Sequence, residues 1–172
     1  QTCALPIFGR AFGDSFMRPA AQLRSDALLT IPVFEATSLS IRAAAGSATV
    51  RVRRSKARWE FETPIIAPAS KLEVDNVLQD LNALHAINFN PANAPAALPS
   101  ASPELRLTIE GNNRRETLLL GEAIGPTAVP SGAATAPDVE RYAQLEGRAT
   151  VFTVAMPARL LEKLRKIGRA HV

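Results

Sequence analysis

The stretch of residues 59–89, WEFETPIIAPASKLEVDNVLQDLNALHAINF, constrains the fold more than any other part of this sequence. Trp59 and Phe61 alternate with charged residues, as they would on one face of a β-strand. Pro64 and Pro68 end that strand, because proline has no N–H group to donate to a sheet. The chain therefore leaves the sheet here and can begin a different element.

A capped amphipathic helix is predicted from about Lys71 to His85. Ser70 as the N-cap and Glu73 three residues later match a capping box, in which each side chain binds the other residue's backbone N–H. Five apolar residues follow at helical spacing, namely Val74, Val77, Leu78, Leu81 and Leu84. We expect this stripe to cover the apolar face of the preceding strands, formed by Trp59, Phe61, Val50, Val52 and Ile41.

The residues before Trp59 predict a three-stranded meander. Residues 37–45 and 48–54 alternate between apolar and polar side chains around the turn Gly46-Ser47, which is typical of a β-hairpin. Residues 9–36 show no clear periodicity, and we assign them to a poorly defined lead-in that ends a preceding repeat. Within it, residues 27–34 are apolar but contain Pro32, so they form at best a short edge strand.

A second unit follows a linker. Residues 90–103 contain four prolines among alanine, asparagine and serine, a composition that favours extended conformations and resists a packed core. Alternation then resumes in four strand segments, over residues 105–109, 117–121, 140–145 and 149–154, with a mobile loop expected at 124–137. Pro157 suits the first position of a second helix, whose apolar stripe begins with Leu160, Leu161 and Leu164.

The predicted fold class is therefore α+β. It consists of two successive antiparallel β-meander plus helix units, β-β-β-α over residues 37–89 and β-β-β-β-α over residues 104–165, with the helices packed on one sheet face. The two units share the order of their elements more than their residue identities.

Both ends of the chain are predicted to be non-native. One codon choice for residues 167–172, IGRAHV, has a complementary strand that, extended by a few bases, translates as QTCALPI, which is the sequence of residues 1–7. This relation is typical of one sequencing-adapter segment translated on opposite strands, so we leave residues 1–8 and 166–172 out of the fold prediction. We expect the natural protein to continue in both directions.

The adapter assignment also reduces the chemistry available to the chain. The formal net charge of +4 includes the charges of Lys166 and Arg169. Without these two residues the chain has 18 basic and 16 acidic residues, a net charge of +2, which weakens the case for nucleic-acid binding. Cys3 and His171 also lie in the adapter-derived ends, which leaves His85 as the single histidine and excludes a site with several cysteine or histidine ligands. We predict no metal and no cofactor.

One basic cluster remains as a candidate site, formed by Arg51, Arg53, Arg54, Lys56 and Arg58. Its functional interpretation is an anion site for nucleic acid or membrane headgroups. The alternative, which we favour, is the solvated face of an antiparallel sheet, since alternation places Arg51 and Arg53 opposite Val50 and Val52. No aromatic residue lies between the arginines, which weakens the case for single-stranded nucleic acid.

The other titratable residues predict structural roles. His85 would have to serve any Ser-His-Asp or Cys-His arrangement, but its expected place near a helix C-terminus favours a structural role. Four carboxylates, those of Glu62, Glu73, Asp75 and Asp80, could be imagined as an acid–base pair, and we interpret them as solvated surface and helix cap. We predict no catalytic residue.

The chain resembles the bacterial domain-of-unknown-function family numbered 4340. The resemblance covers most of residues 39–165, and one departure is Ala69-Ser70, where the family often has Ala-Asp. The residues that carry it are Trp59, Pro64, Val74, Leu78, Leu81, Leu84, Leu120, Gly121, Tyr142, Ala143, Val151, Phe152, Val154, Leu161 and Leu164. The resemblance implies a repeated strand–helix unit, often behind a transmembrane helix and beside genes of an ABC-type system related to gliding motility, and it brings no catalytic residues.

These observations lead to a functional hypothesis with two rivals. The hypothesis is a non-catalytic, envelope-associated accessory or scaffold component of an ABC-type transport system. It would be extracytoplasmic, anchored by a segment ahead of this chain, with membrane or transport proteins as partners. The first rival is an anion- or nucleic-acid-binding module that uses Arg51 to Arg58. The second is an enzyme whose site lies in the flanking sequence.

Overall fold

The structure is a computed structural model that describes residues 26–43, 49–91, 94, 95, 98, 103–124 and 138–169. The described strands are β1 (Ala36–Ala43), β2 (Val50–Ser55), β3 (Arg58–Thr63), β4 (Ala67–Ala69), β5 (Ala86–Phe89), β6 (Leu105–Gly111), β7 (Arg114–Ala123), β8 (Val139–Leu145) and β9 (Val151–Met156). The described helices are α1 (Lys71–Asn82) and α2 (Ala158–Arg169).

All nine strands belong to one antiparallel sheet with the order β4-β3-β2-β1-β6-β7-β8-β9-β5. Strand β1 pairs with β6 along its whole length, from Ala36 opposite Gly111 to Ala43 opposite Leu105. The predicted α+β fold of two successive meander-plus-helix units is therefore wrong, because the strands of both units form one continuous sheet. Two separate sheets would have left β1 and β6 as long edge strands with unpaired N–H and C=O groups, and their pairing removes both edges.

The predicted elements themselves are largely confirmed. The Ser70 hydroxyl accepts a hydrogen bond from the Glu73 N–H at 3.4 Å, so α1 begins at the predicted cap. The helix ends at Asn82, three residues earlier than predicted, because the chain turns at Ala83 and enters β5. The stripe lies on its buried side, where Val74, Val77, Leu78 and Leu81 are buried.

The two edge strands were not predicted. Strand β4 contains the second of the two prolines expected to end the sheet, because Pro68 occupies its middle position, as an edge strand permits. Strand β5 (Ala86–Phe89) lies between the predicted end of the helix at His85 and the predicted linker, which begins at residue 90. With three and four residues, they lie below and at the lower limit of the run of about 4–8 residues that identifies a strand in sequence.

One hydrophobic core joins the sheet and the helices. Trp59, Ile41 and Val52 belong to it as expected, Phe61 packs against it half-buried, and Val50 is buried. Helix α1 contributes the stripe described above, and helix α2 contributes Leu160 and Leu164. Residues of both predicted units therefore bury one another in a single core, which independent units would not do.

The described part of the lead-in, residues 26–36, is part of this core, and residues 9–25 lie outside the described residues. Ala27 forms an isolated antiparallel bridge with His85, and this bridge is all of the predicted edge strand that forms. Three lead-in residues are almost fully buried in the cluster, namely Leu28, Leu29 and Ile31.

Polar contacts hold the lead-in against the core. The Glu116 carboxylate on β7 accepts hydrogen bonds from the backbone N–H groups of Thr30, at 2.7 Å, and Ile31, at 3.3 Å. From the other side, the Asn82 amide at the end of α1 donates to the Ile31 carbonyl at 2.9 Å. These contacts could not be predicted from the sequence, because they join residues far apart in the chain.

The linker also contributes to the fold. Leu98 is buried, and its N–H donates to the Gln144 side chain on β8 at 2.9 Å. The expectation that residues 90–103 stay outside a packed core is thus wrong at Leu98. Most of the loop at 124–137 and the adapter-assigned residues 1–8 lie outside the described residues. Helix α2 continues through residues 166–169, and Ile167 packs against the core.

Gly111 lies where the lead-in crosses the end of β6. A Cβ atom at this position would lie 2.4 Å from the Glu35 carbonyl oxygen and 2.9 Å from Cγ2 of Ile31. A backbone oxygen cannot swing aside as the end of a side chain can, so a side chain here would push the lead-in off the sheet.

We predict that Gly111→Ala lowers the free energy of unfolding by about 3 kcal/mol, the upper range for overpacking. Urea denaturation measures the change. The control is Gly147→Ala, where φ is +81° and the added Cβ meets open space, so that only backbone strain is introduced. This control should cost about 1 kcal/mol, and equal losses in both variants would contradict the close approach at Gly111.

Candidate anion site and exposed apolar surfaces

The structure does not bring the five predicted basic residues together into one site. Alternation along β2 places Arg51 and Arg53 on the outer face, whereas Arg54 lies on the inner face with Trp59, its cross-strand partner. Lys56 is in the β2–β3 turn with a positive φ of 59°, and Arg58 opens β3. The five side chains therefore have three different surroundings.

Arg51 and Arg53 are neutralised by carboxylates on neighbouring strands. Arg51 lies between Glu110 on β6, with Nη2 to Oε2 at 2.8 Å, and Glu62 on β3, with Nε to Oε2 at 3.3 Å. Arg53 reaches the other oxygen of Glu62 at 3.4 Å, and Arg115 on β7 binds Glu110 through Nε at 2.7 Å. Charges of alternating sign on β3, β2, β6 and β7 thus extend across five neighbouring strands, since β1 lies between β2 and β6, and we call this group the outer charge ladder.

Glu110 is the centre of the outer charge ladder. The Ser38 hydroxyl donates to its carboxylate at 2.7 Å. This hydrogen bond lowers the pKa of Glu110, and although partial burial raises it, the hydrogen bond and charge of Arg115 and the charge of Arg51 leave the pKa below its ordinary value. Glu110 is therefore charged at neutral pH, and an anion approaching Arg51 must compete with it.

Arg54 is a cross-link within the fold. Its guanidinium carbon lies 4.7 Å from the centroid of the Trp59 ring, and Nη1 donates to the Phe34 carbonyl at 2.8 Å. Its Nη2 reaches Oδ1 of Asp75 on α1 at 3.4 Å. Asp75 also accepts hydrogen bonds from Trp59 Nε1 at 3.0 Å and Lys71 Nζ at 2.7 Å. Asp75 was predicted to be solvated surface, and it instead joins the helix to β2 and β3.

Lys56 and Arg58 are the two members of the cluster that stay available. Both are exposed, and no carboxylate of a described residue lies within ion-pair distance of either side chain. The favoured interpretation, a solvated sheet face, applies to Arg51 and Arg53. The alternative, an anion site, then depends on Lys56 and Arg58.

The other candidate residues occupy structural positions. His85 is exposed, with Nδ1 at 3.6 Å from the Asp26 carboxylate, and it lies beyond the end of α1 rather than in it. Asp80 pairs with Lys163 of α2 at 3.2 Å. In the described part of the chain, no three His, Cys, Asp or Glu side chains are close enough to hold a metal ion together.

Exposed apolar side chains are the feature that sequence reasoning missed. The large ones are Phe34, Ile65, Ile66, Leu72 and Ile87. Ile66 is the most exposed, at 82%, and lines a groove of about 440 Å³ at the β3 edge together with Phe61, Arg53, Glu60 and Glu62. The sequence signal for this exposure was the run Pro-Ile-Ile at residues 64–66, between the end of β3 and the start of β4. Apolar side chains in such a connection are not directed into the core.

No family model, curated protein or solved structure matches this chain. Among the described residues, neither helix has the length and apolar content needed to cross a lipid bilayer. Function is therefore inferred from the residues themselves and from the resemblance they carry.

The Asp75 contacts lead to a prediction about pH. Burial raises the pKa of Asp75, but hydrogen bonds from Lys71 and Trp59 and the charges of Lys71 and Arg54 outweigh burial and lower it. Because the folded-state pKa is below the unfolded one, the resulting stabilisation is present above the unfolded value of about 3.9 and is lost as the pH falls through the folded value.

We therefore predict that Asp75→Asn destabilises the protein at pH 7 and that the difference from the wild type shrinks as the pH falls below about 4. Urea denaturation at several pH values measures this difference. Trp59→Phe, which removes one donor to Asp75 and keeps an aromatic ring, should show a smaller change of the same kind. A difference that stays constant down to the lowest pH would show that the charge of Asp75 does not stabilise the fold.

Proposed function

We propose that this chain is a non-catalytic accessory or scaffold domain that binds other proteins in an envelope-associated ABC-type transport system. The observation that carries the binding role is the exposure of Ile66, which lines the groove at the β3 edge, and of its neighbour in the chain, Ile65. The kind of assembly comes from the resemblance to the family numbered 4340.

The positions of the residues that carry the resemblance support a scaffold role. Most of them are buried, including Trp59, Leu78, Leu120, Phe152 and Leu164. They set the spacing of a core and place no reactive side chain in a cleft. A resemblance of this kind implies a shared fold that presents a surface, and the proposed location on the extracytoplasmic side of the envelope follows from the same resemblance.

The β3 edge has the features of a protein interface. The apolar side chains of Phe61 and Ile66 line the groove together with charged side chains such as Arg53, Glu60 and Glu62, a combination typical of interfaces between proteins. The exposed Ile65 precedes Ile66 in the chain. Pro68 in the middle of β4 has no N–H to offer to an added strand. We therefore propose that the partner binds through side chains rather than by extending the sheet.

Site-specific cross-linking tests this proposal. The chain would carry a photo-reactive amino acid in place of Ile65 and be co-expressed with the ABC-type transport proteins that, from the resemblance, we expect to be encoded beside its gene. We expect a cross-link to a transport subunit that Ile66→Asp reduces at least about tenfold, since a buried unpaired charge is strongly unfavourable at an interface.

The matched control is Ile87→Asp, which adds the same charge to an exposed isoleucine at the opposite sheet edge. It should leave the cross-link unchanged. A cross-link equally sensitive to both variants, or none to any transport subunit, would contradict the proposal.

The rival function, an anion- or nucleic-acid-binding module, is favoured by one observation, the exposure of Lys56 and Arg58 without ion-pair partners in the described residues. Salt dependence tests it, because each phosphate neutralised contributes about −0.9 to the slope of log K against log salt on duplex DNA. We expect weak binding with a slope of no more than about −2, from two cations. A slope near −4.5 would mean that all five basic residues bind phosphate and that the outer charge ladder opens.

A further inference from the structure

Three segments remote in sequence meet at the end of the sheet where β2 turns into β3. Ser38 pairs with Arg53, so the start of β1, and Phe34 just before it, lie beside the end of β2. Ala69 pairs with Trp59, so the chain entering α1 lies beside the start of β3. The lead-in turn, the β2–β3 turn and the first turn of α1 therefore form one corner of the molecule.

Arg54 fixes this corner. It donates to the Phe34 carbonyl at 2.8 Å through one nitrogen and contacts the Asp75 carboxylate at 3.4 Å through another. Asp75 in turn holds Lys71 at the start of α1. The lead-in turn and the start of the helix are thus bound by two different nitrogens of one guanidinium group, which holds both segments at this corner.

Two of those neighbours are large apolar side chains that the fold leaves in water. Phe34 is 76% exposed and Leu72 is 68% exposed, and neither belongs to the core cluster. Single exposed apolar residues are ordinary. An aromatic and an aliphatic side chain on two segments that Arg54 joins are better explained by a surface that receives both.

The same corner holds the two cations without carboxylate partners in the described residues, Lys56 and Arg58. The other arginines of β2 are engaged by Glu62, Glu110 or Asp75. Glu73 is the acidic residue next to Leu72 on α1. Because successive residues of a helix are rotated by about 100°, the side chains of Glu73 and Leu72 point in different directions. Positive charge and apolar surface are therefore combined at this corner.

We infer that the corner formed by Phe34, Lys56, Arg58 and Leu72 docks on an anionic phospholipid surface. Phe34 and Leu72 enter the boundary between headgroups and acyl chains, and Lys56 and Arg58 lie against the lipid phosphates. A bilayer interface offers both environments within a few ångströms. A nucleic acid would use the cations and leave Phe34 and Leu72 in water, so it fits this corner less well.

This inference goes beyond the proposed function, since it names lipid as a second binding partner and does not need a transport subunit. With two apolar side chains and two cations, the contact is weak and reversible, as even a single acyl chain binds membranes only marginally. Its role would be to orient a protein that is held at the membrane by other means.

Vesicle co-sedimentation of the full chain tests the inference. The vesicles contain phosphatidylcholine with about 30% phosphatidylglycerol, an anionic surface that attracts cations within a Debye length. We expect binding at low salt that falls at least about fivefold on vesicles of phosphatidylcholine alone. The double variant Phe34→Ser/Leu72→Ser and the double variant Lys56→Glu/Arg58→Glu should each reduce binding about tenfold.

The controls are Ile87→Ser and Arg148→Glu, an exposed isoleucine and an exposed arginine toward the opposite edge of the sheet. Both should bind within about twofold of the wild type. All the substituted residues are exposed, so folding should persist, and the fluorescence of Trp59, the single tryptophan, reports this directly.

Three outcomes would overturn the inference. One is the absence of binding to anionic vesicles at low salt. Another is binding that Phe34→Ser/Leu72→Ser does not change, which would be a purely electrostatic contact that nucleic acid could make equally well. The third is an equal loss with Arg148→Glu, which would show attraction without a defined site. Cross-linking through Ile65 is independent of all three, so a failure there is a separate result.

Discussion

The backbone pairing of β1 with β6 is the constraint on which the rest of this structure depends. It joins the strands that precede α1 to those that follow the linker, and it places Leu39 between Val52 and Ile109 in the core. It also places Gly111 under the lead-in, which can cross there only because no side chain is present. Without this pairing, two small sheets would each expose a long edge and bury less apolar surface.

Three carboxylates then connect elements that the core alone would leave loosely oriented. The Glu116 carboxylate binds backbone N–H groups of the lead-in. The Asp75 carboxylate joins α1 to Trp59 and Arg54. The Glu110 carboxylate joins the strands of the outer charge ladder. Each accepts several hydrogen bonds, so each satisfies donors that partial burial would otherwise leave unpaired. A consequence for function is that the β2 arginines stabilise the fold, which leaves little positive charge for a ligand.

The exposed apolar residues lie at opposite ends of the same strand. Ile65 and Ile66 follow the end of β3, while Phe34 and Leu72 lie near its start. Strand β3 has six residues and spans about 20 Å. A protein partner at one end and a lipid surface at the other could therefore be bound together, as an accessory domain beside a membrane transporter would require.

The sequence by itself determined the local elements of this protein. The cap at Ser70, the stripe of α1, the β2 alternation and the central strands could all be predicted, because each depends on neighbouring residues. Only the tertiary structure decided that β1 meets β6, that β4 and β5 form the edges, and that Arg54 binds Asp75 while Lys56 has no carboxylate partner among the described residues. Period-two alternation determines which face of a strand is buried, but it does not determine which strand is its neighbour. Pairing between strands distant in sequence is therefore decided only when the whole core forms.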